Sequence, residues 1–201
     1  MSLFRSAALI LDEGKLPSTY QEVEWIASDT NQWIDTLYRP NIDTELIIDF
    51  QDTSTSSWEN YFGADNIYRC QRYTTYQSQF SWIPDGSTAF FNINLSTRIK
   101  LKFNKNGIFY EDGTALLNKT ISGVSPNQNL VLFNSYYQST LDMGAAYTLY
   151  RFQIKENDVL IKDFIPCYRK SDNEIGLYDL VNGQFHTNLG SYSFTKGNDV
   201  N

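Results

Sequence analysis

Histidine is nearly absent from this chain of 201 residues, which holds only His186, and cysteine is scarce, with Cys70 and Cys167 alone. That scarcity excludes several chemistries. A structural zinc set needs more Cys and His ligands than this chain has. At most one disulfide could form, and two reduced, partly buried thiols are the expectation. Nucleophilic catalysis would have to pair His186 with Cys167 or a serine. No third orienting group is identifiable, so His186 is expected to be a packed, partly exposed residue. Positive charge is also short: 16 Lys and Arg stand against 23 Asp and Glu, a formal charge of -7. No basic stripe suited to a nucleic-acid backbone is visible, so no nucleic-acid partner is expected. No apolar run approaches a membrane span, so no membrane insertion is expected. Ala7-Ala8-Leu9-Ile10-Leu11 is short for the apolar region of a signal peptide and lacks a cleavage site after it. No glycine-rich phosphate loop follows a strand.

Aromatic residues are abundant: 14 Tyr, 13 Phe and 4 Trp, within 41% hydrophobic residues. They suffice for a sizeable core without metal or disulfide. The chain divides into a short arm, residues 1–15, and one domain, residues 16–201, which opens at Leu16-Pro17. From Tyr20 onward, short apolar or alternating runs are separated by turn residues. No segment keeps a helical apolar period, and no repeat is present. About a dozen strands at this spacing predict an all-β sandwich or barrel. Thr44 to Gln51 has the continuous apolar centre of a buried strand. In Tyr147 to Ile154, Tyr150, Phe152 and Ile154 alternate with polar neighbours, which predicts a strand with one apolar face. Asn182-Gly183 predicts a tight type I′ hairpin turn. Pro166 predicts a break in a ladder or an edge. The sequons at Asn94 and Asn118 matter only in a eukaryotic secreted protein and are discounted.

Two end blocks carry a resemblance. Leu16-Pro17-Ser18-Thr19-Tyr20-Gln21-Glu22-Val23-Glu24-Trp25-Ile26 and Gln32-Trp33-Ile34-Asp35-Thr36 form the first. Asp163-Phe164-Ile165-Pro166-Cys167-Tyr168-Arg169-Lys170-Ser171-Asp172, Ile175-Gly176-Leu177-Tyr178-Asp179 and Phe194-Thr195-Lys196-Gly197 form the second. They resemble the concanavalin-like, laminin-G-like jelly-roll domains of phages and prophages of gut Firmicutes and of bacterial surface proteins. The middle, Leu37 to Ala146, matches in rhythm only. The resemblance implies a jelly-roll β-sandwich of two antiparallel sheets, in a virion or at a bacterial cell surface. Trp25 and Trp33 stand where that pattern has tyrosine and are read as core.

Some domains of this fold are glucanases, with Glu, Asp and Glu spaced along one strand. Glu22 and Glu24 are the nearest pair here, and the third acid is missing, so they are read as a solvent-facing edge pair and no catalytic residue is assigned. Laminin-G-type domains often carry calcium at a rim. Asp49, Asp52, Asp85, Asp112, Asp142 and Asp172 are scattered with no dense Asp-x-Asp loop, so no cofactor is assigned and calcium is the one ion left open.

What remains is aromatic surface, since sugars are gripped by flat rings with polar groups at the edge. Trp58 sits beside a Ser/Thr loop. Arg72, Tyr73, Tyr76 and Trp82 lie in the divergent middle, followed by Tyr136, Tyr137 and Gln138. These are the candidate ligand-binding residues, because loops on a rigid sandwich are where recognition sits. The expectation is a non-catalytic, lectin-like domain of tail-fibre or receptor-binding type that contacts a host-surface polysaccharide. The alternative is a virion structural or decoration protein whose arm docks on other virion proteins. A glycoside hydrolase is the third reading.

Overall fold

The computed structural model describes residues 15–54, 56–72, 79–137 and 139–201. The expected arm lies outside the described residues apart from Lys15. No helix occurs among the described residues, and none is long and apolar enough to cross a membrane. The strands in chain order are β1 (Tyr20–Glu22), β2 (Ile26–Ala27), β3 (Ile34–Asp35), β4 (Thr44–Asp52), β5 (Asn60–Asp65), β6 (Tyr68–Arg72) and β7 (Gln79–Ile83). Then come β8 (Ala89–Asn92), β9 (Ile99–Asn104), β10 (Gly107–Tyr110), β11 (Ala115–Asn118), β12 (Val131–Leu132), β13 (Ser135–Tyr137) and β14 (Thr140–Asp142). The last five are β15 (Tyr147–Glu156), β16 (Val159–Arg169), β17 (Glu174–Asp179), β18 (Gln184–Thr187) and β19 (Thr195–Lys196).

A large sheet runs β11-β10-β9-β4-β15-β16-β17-β18, with β1 on β16 and β2 between β15 and β19. A smaller sheet runs β3-β12-β5-β6-β7-β8, and β13 and β14 form a separate hairpin. Every strand pairing is antiparallel. This is the jelly-roll β-sandwich expected from the sequence.

Period-two burial builds the core between the sheets. On β4, Leu46, Ile48 and Phe50 are buried while Glu45, Ile47 and Asp49 are only partly covered, so this strand is one-faced rather than wholly buried. At the centre, the Tyr147 ring stacks on Phe133 at 4.3 Å and meets Tyr61 edge-on at 5.5 Å. The Tyr147 hydroxyl donates to the Tyr61 carbonyl at 3.0 Å. Burial raises that phenol far above its ordinary value, so it stays a donor.

Three local expectations need correction. A β-bulge between Leu149 and Arg151 inserts Tyr150, so Leu149 and Phe152 both face the core and Tyr150 faces outward. A tight two-residue hairpin with positive φ at both residues is found at Asn157-Asp158, where Glu156 pairs with Val159. Asn182-Gly183 instead closes a longer loop in which Gly183 alone has positive φ and the Asp179 carboxylate accepts from Val181 N and Asn182 N. The run Glu22 to Ile26, expected as one strand, is split between β1 and β2, with Val23 making only an isolated bridge to Asp199. Pro166 behaves as expected. Pairing of β16 with β15 ends at Phe164, pairing with β1 begins at Cys167, and the missing N–H falls at that switch.

His186 is buried rather than partly exposed, and it links the edges of the two sheets. Its Nδ1 lies 2.9 Å from the Asp35 carbonyl, which makes Nδ1 the protonated nitrogen. Nε2 is buried without a partner. Burial lowers the imidazole pKa, and Lys162 adds to this, against the opposing pull of Asp35 and Asp179. A depressed histidine is neutral in the fold and binds its proton more readily when unfolded. Its contribution is therefore complete above the ordinary value of 6.5 and is lost as pH falls through that value toward the folded one. The urea midpoint is expected to drop between pH 7 and pH 5, and the drop to shrink in His186→Phe; an equal drop in both proteins would remove His186 as its cause.

Candidate functional site

Among the described residues, five of the ten exposed large apolar side chains gather along one linked set of loops; Leu37, Phe90, Val159, Val181 and Val200 lie elsewhere. The loop after β4 presents Trp58, 46% exposed. The β13–β14 hairpin presents Tyr136, partly covered, and Tyr137, 44% exposed, with Met143 just beyond. The loop after β18 presents Leu189 and Tyr192, the latter 77% exposed.

Backbone contacts join these loops. Asn60 N donates to Met143 O at 2.8 Å, which anchors the Trp58 loop to the hairpin. Leu189 N donates to Trp33 O and Ser191 N to Asn31 O, each at 3.0 Å. Trp33 in turn meets Tyr136 edge-on at 6.5 Å. The hairpin lies directly over β5 because Gly63 has no side chain. A Cβ there would collide with the Ser135 side chain and press on Arg69.

The same loops carry strained backbone. Positive φ is found there at Thr30, Trp58, Phe133, Ser139, Met143 and Tyr192, and outside these loops at Leu37, which is exposed after β3. Asn157, Asp158 and Asn173 also have positive φ, but Asn and Asp tolerate that region at turns. A β-branched or bulky residue does not, and such strain, of order 1–3 kcal/mol per residue, clusters at binding sites. Three of the strained residues, Trp58, Met143 and Tyr192, are also among the most exposed apolar side chains.

Charge at this rim comes from β6. The Arg69 guanidinium lies 5.9 Å from the Tyr137 ring centre. Burial lowers its pKa, while Asp142 and Tyr137 pull it upward. The Tyr136 phenol is raised, by burial first and then by the Asp35 charge.

The candidate residues from the sequence divide. Trp58, Tyr136 and Tyr137 belong to this rim. Tyr73, Tyr76 and Gln138 lie outside the described residues. Trp82 and Arg72 are corrections. Trp82 is fully buried on β7, opposite Cys70 and edge-on to Phe103 of the other sheet at 5.7 Å. Arg72 is buried against the Asp52 carboxylate and donates to Ser54 O at 3.1 Å, bracing the base of the Trp58 loop from beneath. Trp25 and Trp33 are only partly buried rather than core. Sequence reasoning missed Met143, Leu189, Tyr192 and Arg69. A lone Met or Leu in a polar loop gives no signal, and Arg69 becomes notable only when the hairpin places Tyr137 beside it.

Other arrangements considered from the sequence come out as follows. Cys167 belongs to a small apolar cluster with Ile165 and Tyr178 on the outer face of the large sheet, whereas His186 meets Phe164 edge-on at 5.0 Å and its neighbour Phe185 joins that outer cluster. Cys167 and His186 therefore occupy opposite faces. Both cysteines are free and buried, and burial pushes the Cys167 thiol up to about 12. Glu22 and Glu24 line a groove of about 270 Å³ on the large sheet's outer face. There Glu24 accepts from Asn198 N and Nδ2, both at 3.1 Å. Among the described residues no group of His, Cys, Asp and Glu forms a metal-binding cluster. Comparison with known protein families, curated proteins and solved structures found no match.

Proposed function

We propose that the chain is a non-catalytic carbohydrate-recognition domain that grips a cell-surface polysaccharide at the rim formed by Trp58, Tyr136, Tyr137, Met143 and Tyr192. One observation carries this reading: exposed rings and strained backbone coincide in the same linked loops. Flat rings pack on the C–H faces of a pyranose, and the surrounding amides and hydroxyls bond its edges. The end-block resemblance to phage and prophage jelly-roll domains supports a virion or bacterial-surface setting and a tail-fibre or receptor-binding role.

The test is a glycan array and a host-cell binding assay, each with calcium and with chelator. Saturable binding competed by free sugar is expected. Absence of binding on both the array and intact cells would overturn the reading. Trp58→Ala and Tyr137→Ala are each expected to weaken binding roughly tenfold, about 1.4 kcal/mol. Their melting temperatures should stay near that of the parent, because substitutions at exposed positions cost little. Large stability losses in both variants would mark these rings as structural.

A further inference from the structure

We infer that the polysaccharide taken by this rim carries an anionic group, a carboxylate or a phosphate, which is received by Arg69. The inference rests on the rim being a glycan platform and deepens it.

Arg69 differs from the other arginines near or on the sheets. Arg72 holds Asp52, Arg98 holds Asp49, Arg151 holds Asp163 and Arg169 holds Asp172. Arg39 is exposed in a loop. Arg69 is partly buried, yet no carboxylate lies within ion-pair distance among the described residues. Its Nε is shut from solvent and has no hydrogen-bond partner. Its charge-related neighbours are the face of Tyr137 and, beyond ion-pair distance, the Asp142 carboxylate of the same hairpin.

A guanidinium in that position has lost part of its hydration without gaining a direct ion pair, which is costly. Arginine presents a planar fork of donors that matches a carboxylate or phosphate. A ring that binds sugar beside a fork that binds an anion is the pair an acidic sugar requires. Tyr137 serves both partners, since its face can hold the guanidinium on one side while its exposed edge meets the ligand.

The experiment measures binding of the whole chain to two sets of polymers. Polygalacturonate, polysialic acid and poly(glycerol phosphate) are the acidic set. Dextran and carboxyl-reduced polygalacturonate are the neutral set. At least one acidic polymer is expected to bind, and polygalacturonate should lose roughly tenfold or more on carboxyl reduction if it is that polymer. Binding should weaken as salt is raised. Arg69→Gln should lose a similar factor toward the acidic polymer, with Arg69→Lys intermediate. Preference among the acidic set tells carboxylate from phosphate. Equal binding of neutral and acidic polymers would overturn the anionic inference and leave the glycan rim standing. So would acidic binding unchanged in a folded Arg69→Gln. The salt and carboxyl-reduction comparisons use the unaltered chain, so they decide the matter even if Arg69→Gln fails to fold. Failure of every polymer, with a blank glycan array, would remove the rim reading and this inference together.

Discussion

Trp82→Ala should unfold the domain far more readily than any change at the rim. Trp82 is fully buried, and its ring bridges to Phe103 across the sandwich. Removing a buried ring of that size costs about 3–5 kcal/mol, because the neighbours close only part of the cavity. For a chain of this length the melting temperature should fall by on the order of 10 °C. Trp82→Phe should lose much less. It retains the packing, and it removes an indole N–H that is buried with no hydrogen-bond partner. Thermal unfolding followed by circular dichroism distinguishes a core ring from a ligand platform. A variant that keeps its melting temperature and loses glycan binding would return Trp82 to the surface.

The second large effect is expected at Asp179. This carboxylate has no solvent exposure. Its Oδ1 accepts from Asp163 N at 3.1 Å and from Val181 N at 3.1 Å. Its Oδ2 accepts from Asn182 Nδ2 at 2.7 Å and from Lys162 Nζ at 3.0 Å. One side chain thus ties β16 to β17 and shapes the loop into β18. Asp179→Ala leaves the largely buried Lys162 charge and several N–H donors without a partner, a loss of about 3–5 kcal/mol. Asp179→Asn keeps the shape but turns an amide donor toward Lys162 or toward the backbone donors. Adding Lys162→Met to Asp179→Asn should recover part of the stability, since the stranded charge is then gone. Denaturant titration of the single and double variants measures that coupling; additive losses would show that Lys162 and Asp179 act independently.

The pH dependence of Asp179 runs opposite in range to that of His186. Burial by itself would raise the carboxyl, but the bonds from Asp163 N, Asn182 and Lys162 prevail and hold it below 3.8. A depressed carboxylate contributes fully above the unfolded value, and its contribution fades as pH falls through the folded one. The acid limb below pH 4 should therefore be shallower in Asp179→Asn, whereas the change between pH 7 and pH 5 should persist there and shrink only in His186→Phe.

Much of the architecture is legible along the chain because alternation and turn chemistry are local. The alternating run from Ile99 to Phe103 and the polar break at Asn157-Asp158 each carry their own instruction and are found in the fold, whereas the Asn106-Gly107 pair lies one residue past its turn, since Asn104 pairs with Gly107. Pro166 announces a ladder break because its missing N–H is a property of the residue itself. The Asp163–Asp179 block, recognisable as a sequence signature, turns out to be a structural brace. Its conspicuous residues are the buried ionic and hydrogen-bonding groups of β16 and β17.

The candidate site is less legible. Trp58 stands among Ser and Glu, and Trp82 in the run Gln79-Phe80-Ser81-Trp82-Ile83; neither stretch by itself says whether its ring is covered. Which one faces outward depends on register against β6 and on the sheet across the sandwich, and neither is encoded within a few residues of the ring. Arg72 and Arg69 stand three apart, yet one is locked to Asp52 and the other meets Tyr137 with no carboxylate at ion-pair distance among the described residues. The bulge at Tyr150 turned that ring outward and Leu149 inward while Phe152 and Ile154 kept the predicted face, because one extra residue shifts the alternation across it. By itself, then, the sequence determined an all-β sandwich, its main hairpins and the presence of aromatic loops. Tertiary structure alone decided which rings are covered, which charges are paired and which distant loops share a rim, because those outcomes depend on contacts between residues far apart in the chain.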